Sequence, residues 1–391
     1  MFDNCEEPEL LRRWRPRVGG CRVLVTSRRG GWDPALGVWP LPLGTLPRPK
    51  SVELLRGFRP DLGEDPALDE IAAELGDLPL ALHLAGSFLA CYRHASAGRP
   101  ANYLEQLRHG DLLDHPSLQG RGSEASPTDH ERHVARTFAL SYERLDAADA
   151  DDALARSLLA RAAFFAAGEP IPRPLLLATI EIGDDGLRGE DVLKRLTELG
   201  LLEEEADGAV KVHRLVASFA RWTGEEQATR AAVEEVVYEE ADRLNAAGFP
   251  APLLAWQVHL RAVTDAARQR EVVTAARLCS ALGYHLWTIG DLRGARPYHE
   301  RALAINEKVH GAEHPDTAGS LNNLGFLLQS QGDLAGARPC YERALAILER
   351  VLGAEHPDTA TSLNNLGALL RSQGNLAGAR PHYKRALAIR A

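Results

Sequence analysis

Two polar runs spaced 42 residues apart carry the most legible chemistry in the chain. Asn322, Phe326 and Gln329 recur as Asn364, Ala368 and Arg371, and spacings of four and three set each trio on one face of a helix. A carboxamide donates and accepts at once, so a ladder of asparagines can hold the backbone of an extended peptide without reading its sequence. Two other readings of these residues stay open: solvated polar positions, or hydrogen bonds between helices. Ser280, one period earlier, interrupts the ladder. Elsewhere the reactive residue types form no centre. There is no Gly-x-Ser-x-Gly elbow, and the five cysteines (Cys5, Cys21, Cys91, Cys279, Cys340) lack metal-ligand spacing. His130 and His133, three apart, read as solvated.

The elements that must position these amides are repeated hairpins. LNNLGFLLQSQGDLAGARPCYERALAIL begins at Leu321 and returns as LNNLGALLRSQGNLAGARPHYKRALAIR at Leu363, and an earlier unit starts at Cys279. Leu321, Leu324 and Leu328 keep helical spacing, as do Ala337, Tyr341, Ala344 and Leu348. Gly332 separates the two helices and Asp333 caps the second. Pro315 and Pro357 mark the next helix start, with Asp316 and Asp358 as its expected caps. Pro297, Pro339 and Pro381 fall inside the second helix of every unit, which predicts a bend. With the Leu-Gly step at Leu324 and Gly325, small Ala337 and Ala344 and aromatic Tyr341, the unit resembles the tetratricopeptide repeat. Its period and the linkers GAEHPDTAGS and GAEHPDTATS resemble the longer kinesin-light-chain variant. That resemblance implies a recognition solenoid whose first helices line a concave surface for a protein or peptide partner. Self-association is a further possibility left open.

Composition agrees with a folded, water-soluble protein. Hydrophobic residues make up 45% and charged residues 25%, no apolar run reaches the ~20 residues of a membrane span, and a net charge of -9 favours no nucleic acid. The odd, scattered cysteines fit a reducing compartment, so the expected location is cytoplasmic.

The N-terminal third carries ordered motifs that are weak singly. An apolar start ends at Phe2-Asp3-Asn4, then Val23-Leu24-Val25 reads as a buried parallel strand ending in Thr26-Ser27-Arg28. Asp65 and Pro66 open a helix that Gly76 closes, and Gly-Asp-Leu-Pro leads into another. Residues 131–225 read as helices followed by a hairpin turning at Asp207-Gly208 and then Val-His-Arg. This order resembles the NB-ARC module of STAND signalling NTPases, including bacterial regulators. The resemblance implies ADP or ATP with magnesium as cofactor in the intact family. It places Asp3 at the magnesium-linked carboxylate of Walker B, Arg28 at the terminal phosphate, Pro79 against adenine and His213 at the β-phosphate. Asn4 and Arg214 depart from the family's acidic residues. Within the winged-helix segment, Arg188, Lys194 and Arg195 alternate with Glu190, Asp191 and Glu198, leaving no basic face for DNA.

The phosphate-binding Gly-x-x-x-x-Gly-Lys loop is missing from the sequence, and Lys50, the one lysine before Lys194, sits in LPRPKSVE. The expectation is a nucleotide-binding domain that begins partway through, by truncation or a mis-assigned start. Such a loop supplies several charge-assisted contacts of about 1.5 to 3 kcal/mol each, so ADP binding is expected to be weak or absent and turnover lost.

The fold class expected is therefore mainly α, with a partial α/β nucleotide-binding remnant (1–62), a helical subdomain (63–125) and a winged-helix-like domain (126–225). A helical linker or degenerate repeats (226–278) leads to three repeats (279–320, 321–362, 363–391). The function expected is a non-enzymatic regulatory interaction protein. The alternatives are an ADP/ATP switch or a fragment of a transcriptional regulator.

Overall fold

The computed structural model describes residues 5, 7–16, 22–27, 32–39, 41, 43–109, 112–121, 134–181, 187–223, 226–248 and 250–390. Among them the regular secondary structure is almost entirely helical, and the chain divides into two compact units, Met1–Arg230 and Ala231–Ala391.

The first unit contains α1 (Pro8–Trp14), α2 (Arg48–Phe58), α3 (Ala67–Glu74), α4 (Pro79–Cys91), α5 (Pro100–His109), α6 (Val134–Tyr142), α7 (Ala150–Ala162), α8 (Arg173–Leu177), α9 (Arg188–Glu198), β1 (Glu203–Glu204), β2 (Val210–Lys211) and α10 (Arg214–Thr223). Leu55, Leu82, Phe88, Tyr103, Leu215 and Phe219 form one apolar core joining α2, α4, α5 and α10. Tyr103, fully buried, satisfies its hydroxyl on Ser117 Oγ at 2.7 Å. β1 and β2 pair antiparallel about a turn in which Gly208 holds φ 84°, and Ile171 bridges to Val210 on the other side.

The parallel sheet expected in residues 1–62 is not seen among the described residues. The described residues hold a β-bridge at Val25 and a bond from the Cys5 amide to the Thr26 carbonyl, 2.8 Å. Val23 and Leu24 are 40% and 63% exposed, so the described part of this segment lacks the cover on both faces that a buried parallel strand requires.

The second unit takes most of α11 (Glu226–Ala247), followed by α12 (Pro250–Leu254), α13 (Gln257–Ala267), α14 (Val273–Thr288), α15 (Leu292–Val309), α16 (Pro315–Ser330), α17 (Leu334–Val351), α18 (Pro357–Ser372) and α19 (Leu376–Arg390). Pairs α14/α15, α16/α17 and α18/α19 are antiparallel hairpins stacked in series. The Leu-Gly step has a steric cause. A Cβ on Gly325 would lie 2.9 Å from the Tyr341 ring, and one on Gly367 3.1 Å from Tyr383, so glycine lets the second helix seat an aromatic ring on the first. α15, α17 and α19 continue through Pro297, Pro339 and Pro381.

Asp333 caps α17 as expected, accepting from the Gly336 amide at 2.8 Å. The caps expected at Asp316 and Asp358 lie two residues earlier. His314 and His356 are the N-caps, each Nδ1 accepting from the amide of Asp316 or Asp358 at 3.2 and 3.1 Å. Proline at the first helical position forces the preceding residue into the extended conformation an N-cap needs, and the aspartates then fall in the first turn, where their charge suits the helix dipole.

Candidate functional site

The first helices of the second unit line a groove of about 840 Å³. On α16 the exposed groove residues follow the spacing Asp316, Gly319, Asn323, Phe326. On α18 their counterparts are Asp358, Thr361 and Asn365, and on α14 Arg277, Ala281 and Tyr284. Each is related to the next by the repeat period, so stacked hairpins convert a sequence repeat into a surface row. α11 extends the row with Tyr238, Asp242 and Asn245.

Aromatic rings form one part of this surface. Trp287 lies 5.5 Å from Tyr284 and 4.6 Å from Phe326 between centroids, and its indole N–H donates to Ser330 Oγ at 2.9 Å. Tyr284 and Phe326 remain 40% and 39% exposed. The polar part is acidic. Asp242, Asp316 and Asp358 line it, and the single arginine in the lining, Arg277, is held by Glu235 at 2.9 and 3.1 Å with its guanidinium over the Tyr238 ring.

The residues singled out from sequence divide by role. Phe326 faces the groove. Asn322 reaches the groove wall but its carboxamide is engaged with the next repeat, donating to Ser362 Oγ at 2.7 Å and accepting from it at 3.0 Å. Gln329 donates to Ser372 Oγ and accepts from the Tyr341 hydroxyl, both at 3.2 Å. These two therefore adopt the inter-helix role the sequence left open. Asn364 and Arg371 are exposed outside the groove lining. The groove-lining amides of α16 and α18 with no side-chain hydrogen bond among the described residues are Asn323, exposed, and Asn365, half-buried, one position on; the Asn364 amide is likewise unengaged but lies outside the lining. The signal that finds the lining pair is burial of Ser320 and Leu327 as well as the leucines first counted, which turns the open face by one residue.

In the first unit, Asp3 and Arg28 lie outside the described residues. Pro79 is the first residue of α4. His213, just after β2, reaches the loop before it: its Nε2 donates to the Gly76 carbonyl at 2.9 Å, while Nδ1 accepts from the Leu215 amide at 3.2 Å. This pairing fixes the neutral Nε2–H tautomer, and burial lowers the pKa of the imidazole. Arg214 meets Glu74 at 3.2 Å, and Arg48 grips Asp77 through two bonds of 2.9 and 2.8 Å. On α9, Arg188 pairs with Asp151 at 2.8 Å and Arg195 with Asp152 at 3.0 Å, so both arginines are tied to α7.

Residues 274–333 and 316–391 match the tetratricopeptide repeat model, so within the second unit residues 274–391 form a solenoid of these repeats. The chain is 29% identical over 232 residues to the regulatory protein AfsR of Streptomyces griseus, spanning 56% of this chain and 21% of that protein. That stretch is longer than residues 274–391, so it extends in front of the repeats. The chain thus spans about a fifth of this relative's length. Among solved structures, a kinesin light chain of Podosopora anserina with nearly identical tetratricopeptide-like repeats is similar at 23% identity, covering 40% of this chain and 74% of that one, TM-score 0.35. A STAND protein with a tetratricopeptide repeat sensor from Pyrococcus horikoshii is similar at 15% identity, covering 93% and 57%, TM-score 0.27. No helix among the described residues is long and apolar enough to cross a membrane.

Proposed function

We propose that this chain is a regulatory interaction protein whose repeat groove grips an extended, basic segment of a partner protein. One observation carries the reading: two unengaged amides, Asn323 and Asn365, stand one repeat apart in a groove that also holds exposed aromatic rings and three carboxylates. Amides hold a peptide backbone, the rings take its apolar side chains, and the carboxylates favour lysine or arginine over acidic residues. The regulatory part of the reading is supported by the similarity to AfsR.

Fluorescence anisotropy with two labelled Gly-Ser peptides, one bearing arginines and one glutamates at the same positions, tests it. The arginine peptide binds the full chain, and Asn323→Ala or Asn365→Ala each weakens it by about 3- to 10-fold, as expected for one lost hydrogen bond of roughly 1 kcal/mol. Equal binding of both peptides by wild type and the alanine variants would defeat the proposal.

A second reading concerns the first unit. We infer an NB-ARC-type arrangement of helical and winged-helix parts, supported by His213 of Val-His-Arg meeting Gly76 of Gly-Asp-Leu-Pro across 137 residues of sequence. The donors fit a phosphate poorly. The His213 Nε2 proton is committed to Gly76, and neither a glycine-rich amide cradle nor its lysine occurs in these residues, so in this reading nucleotide is held weakly and turnover is lost. Denaturing the purified chain and assaying released nucleotide is expected to yield far less than one ADP per chain; stoichiometric ADP would overturn the loss of binding.

A further inference from the structure

We propose that His310, His314 and Asp316 form a binding site for a divalent transition-metal ion of the zinc class, at the turn between the first and second hairpins of the array. The site lies between α15 and α16. His310 is the C-cap of α15 and His314 the N-cap of α16, so the short connection brings their rings face to face, with centroids 4.4 Å apart and planes inclined by 16°. Asp316 Oδ2 is 3.6 Å from His310 Nε2 and 3.6 Å from His314 Nδ1. All three donor atoms lie within 4.8 Å of one another.

These separations suit a metal better than they suit hydrogen bonds. At 3.6 Å neither imidazole is bonded to the carboxylate. A tetrahedral ion at about 2.0 to 2.2 Å from nitrogen and oxygen ligands holds its donors roughly 3.3 to 3.5 Å apart. Both histidine-to-aspartate distances are therefore within a few tenths of an ångström of that value, while the two stacked rings must close and turn about their side-chain bonds so that both in-plane lone pairs meet the ion. His310 Nε2 supplies an independent sign. It is buried with no hydrogen-bond partner among the described residues, a condition buried polar atoms rarely keep. Two imidazoles and one carboxylate are the donor set of zinc and its neighbours, whereas calcium and magnesium favour oxygen alone. Water can complete the fourth position.

The next repeat provides an internal control. His356 and Asp358 repeat the cap and the 3.6 Å contact, but Leu352 stands where His310 does one repeat earlier. Two donors there serve as a helix cap; three at the earlier turn make a metal site. Binding requires His314 Nδ1 to exchange the Asp316 amide for the ion, and the ion in return joins the end of α15 to the start of α16.

The test uses the full chain without a histidine tag, stripped of metal, titrated with Co²⁺ by visible ligand-field absorption and with Zn²⁺ by calorimetry. The expected result is one ion per chain, lost in His310→Leu while helical circular dichroism is retained, and unaffected by His356→Ala. Leu352→His is expected to raise the count to two, and Zn²⁺ is expected to raise the unfolding temperature of wild type but not of His310→Leu. Unaltered stoichiometry in His310→Leu, or no second ion in Leu352→His, would overturn the assignment.

Discussion

His299 shows how one residue can give a repeat its own pH response. It occupies the place held by Tyr341 and Tyr383 in the following repeats and packs its ring where a Cβ on Gly283 would be, 2.8 Å away. Burial pushes its pKa down to about 4. Above the ordinary histidine pKa of about 6.5 the ring is neutral in both folded and unfolded chains and pH has no leverage. Below it the unfolded chain takes up a proton that the folded one refuses, so stability falls between about pH 6.5 and 4. His115, buried in the first unit against Ser117 and pushed down to about 4 by burial, acts in the same direction there. His299→Tyr, which copies the other repeats, is expected to remove a large part of the second unit's loss of stability, up to about 3 kcal/mol. The check is chemical denaturation at neutral pH and near pH 4.5; an unchanged difference between the two pH values would contradict the account.

At the scale of the element, helix ends decide what could be read in advance. Gly332 and Asp333 were legible as a stop and a cap because glycine at positive φ and an aspartate accepting from an amide are local devices. Asp333→Ala is expected to destabilise the array by about 1 kcal/mol in urea denaturation. A null effect would mean the cap is made by solvent instead. The groove face was less legible, since it depends on which positions a neighbouring hairpin buries. Leucine spacing located the helix but not its rotation: Asn322 and Gln329 turned out to bridge repeats, while Asn323 and Asn365 look outward. The caps at His314 and His356 were missed for a related reason, because histidine capping is visible only once the Nδ1 to amide distance is known.

At the scale of the whole molecule, a helical solenoid was legible because each hairpin repeats the same apolar positions and contacts chiefly its neighbours. Of the sheet expected near the N-terminus the described residues hold a bridge at Val25, and a short β-branched run does not by itself reveal whether neighbouring strands cover it. Within the second unit, function follows from stacking. No single hairpin holds Asp242, Tyr284, Asn323, Phe326 and Asn365; four first helices must align before an extended segment has a surface to lie on. The most direct measurement is the salt dependence of arginine-peptide binding in wild type and in Asp242→Asn/Asp316→Asn/Asp358→Asn. The account predicts that wild-type affinity falls as salt rises and that the triple variant binds more weakly and loses most of that dependence. Equal affinities and equal salt slopes for the two proteins would contradict it.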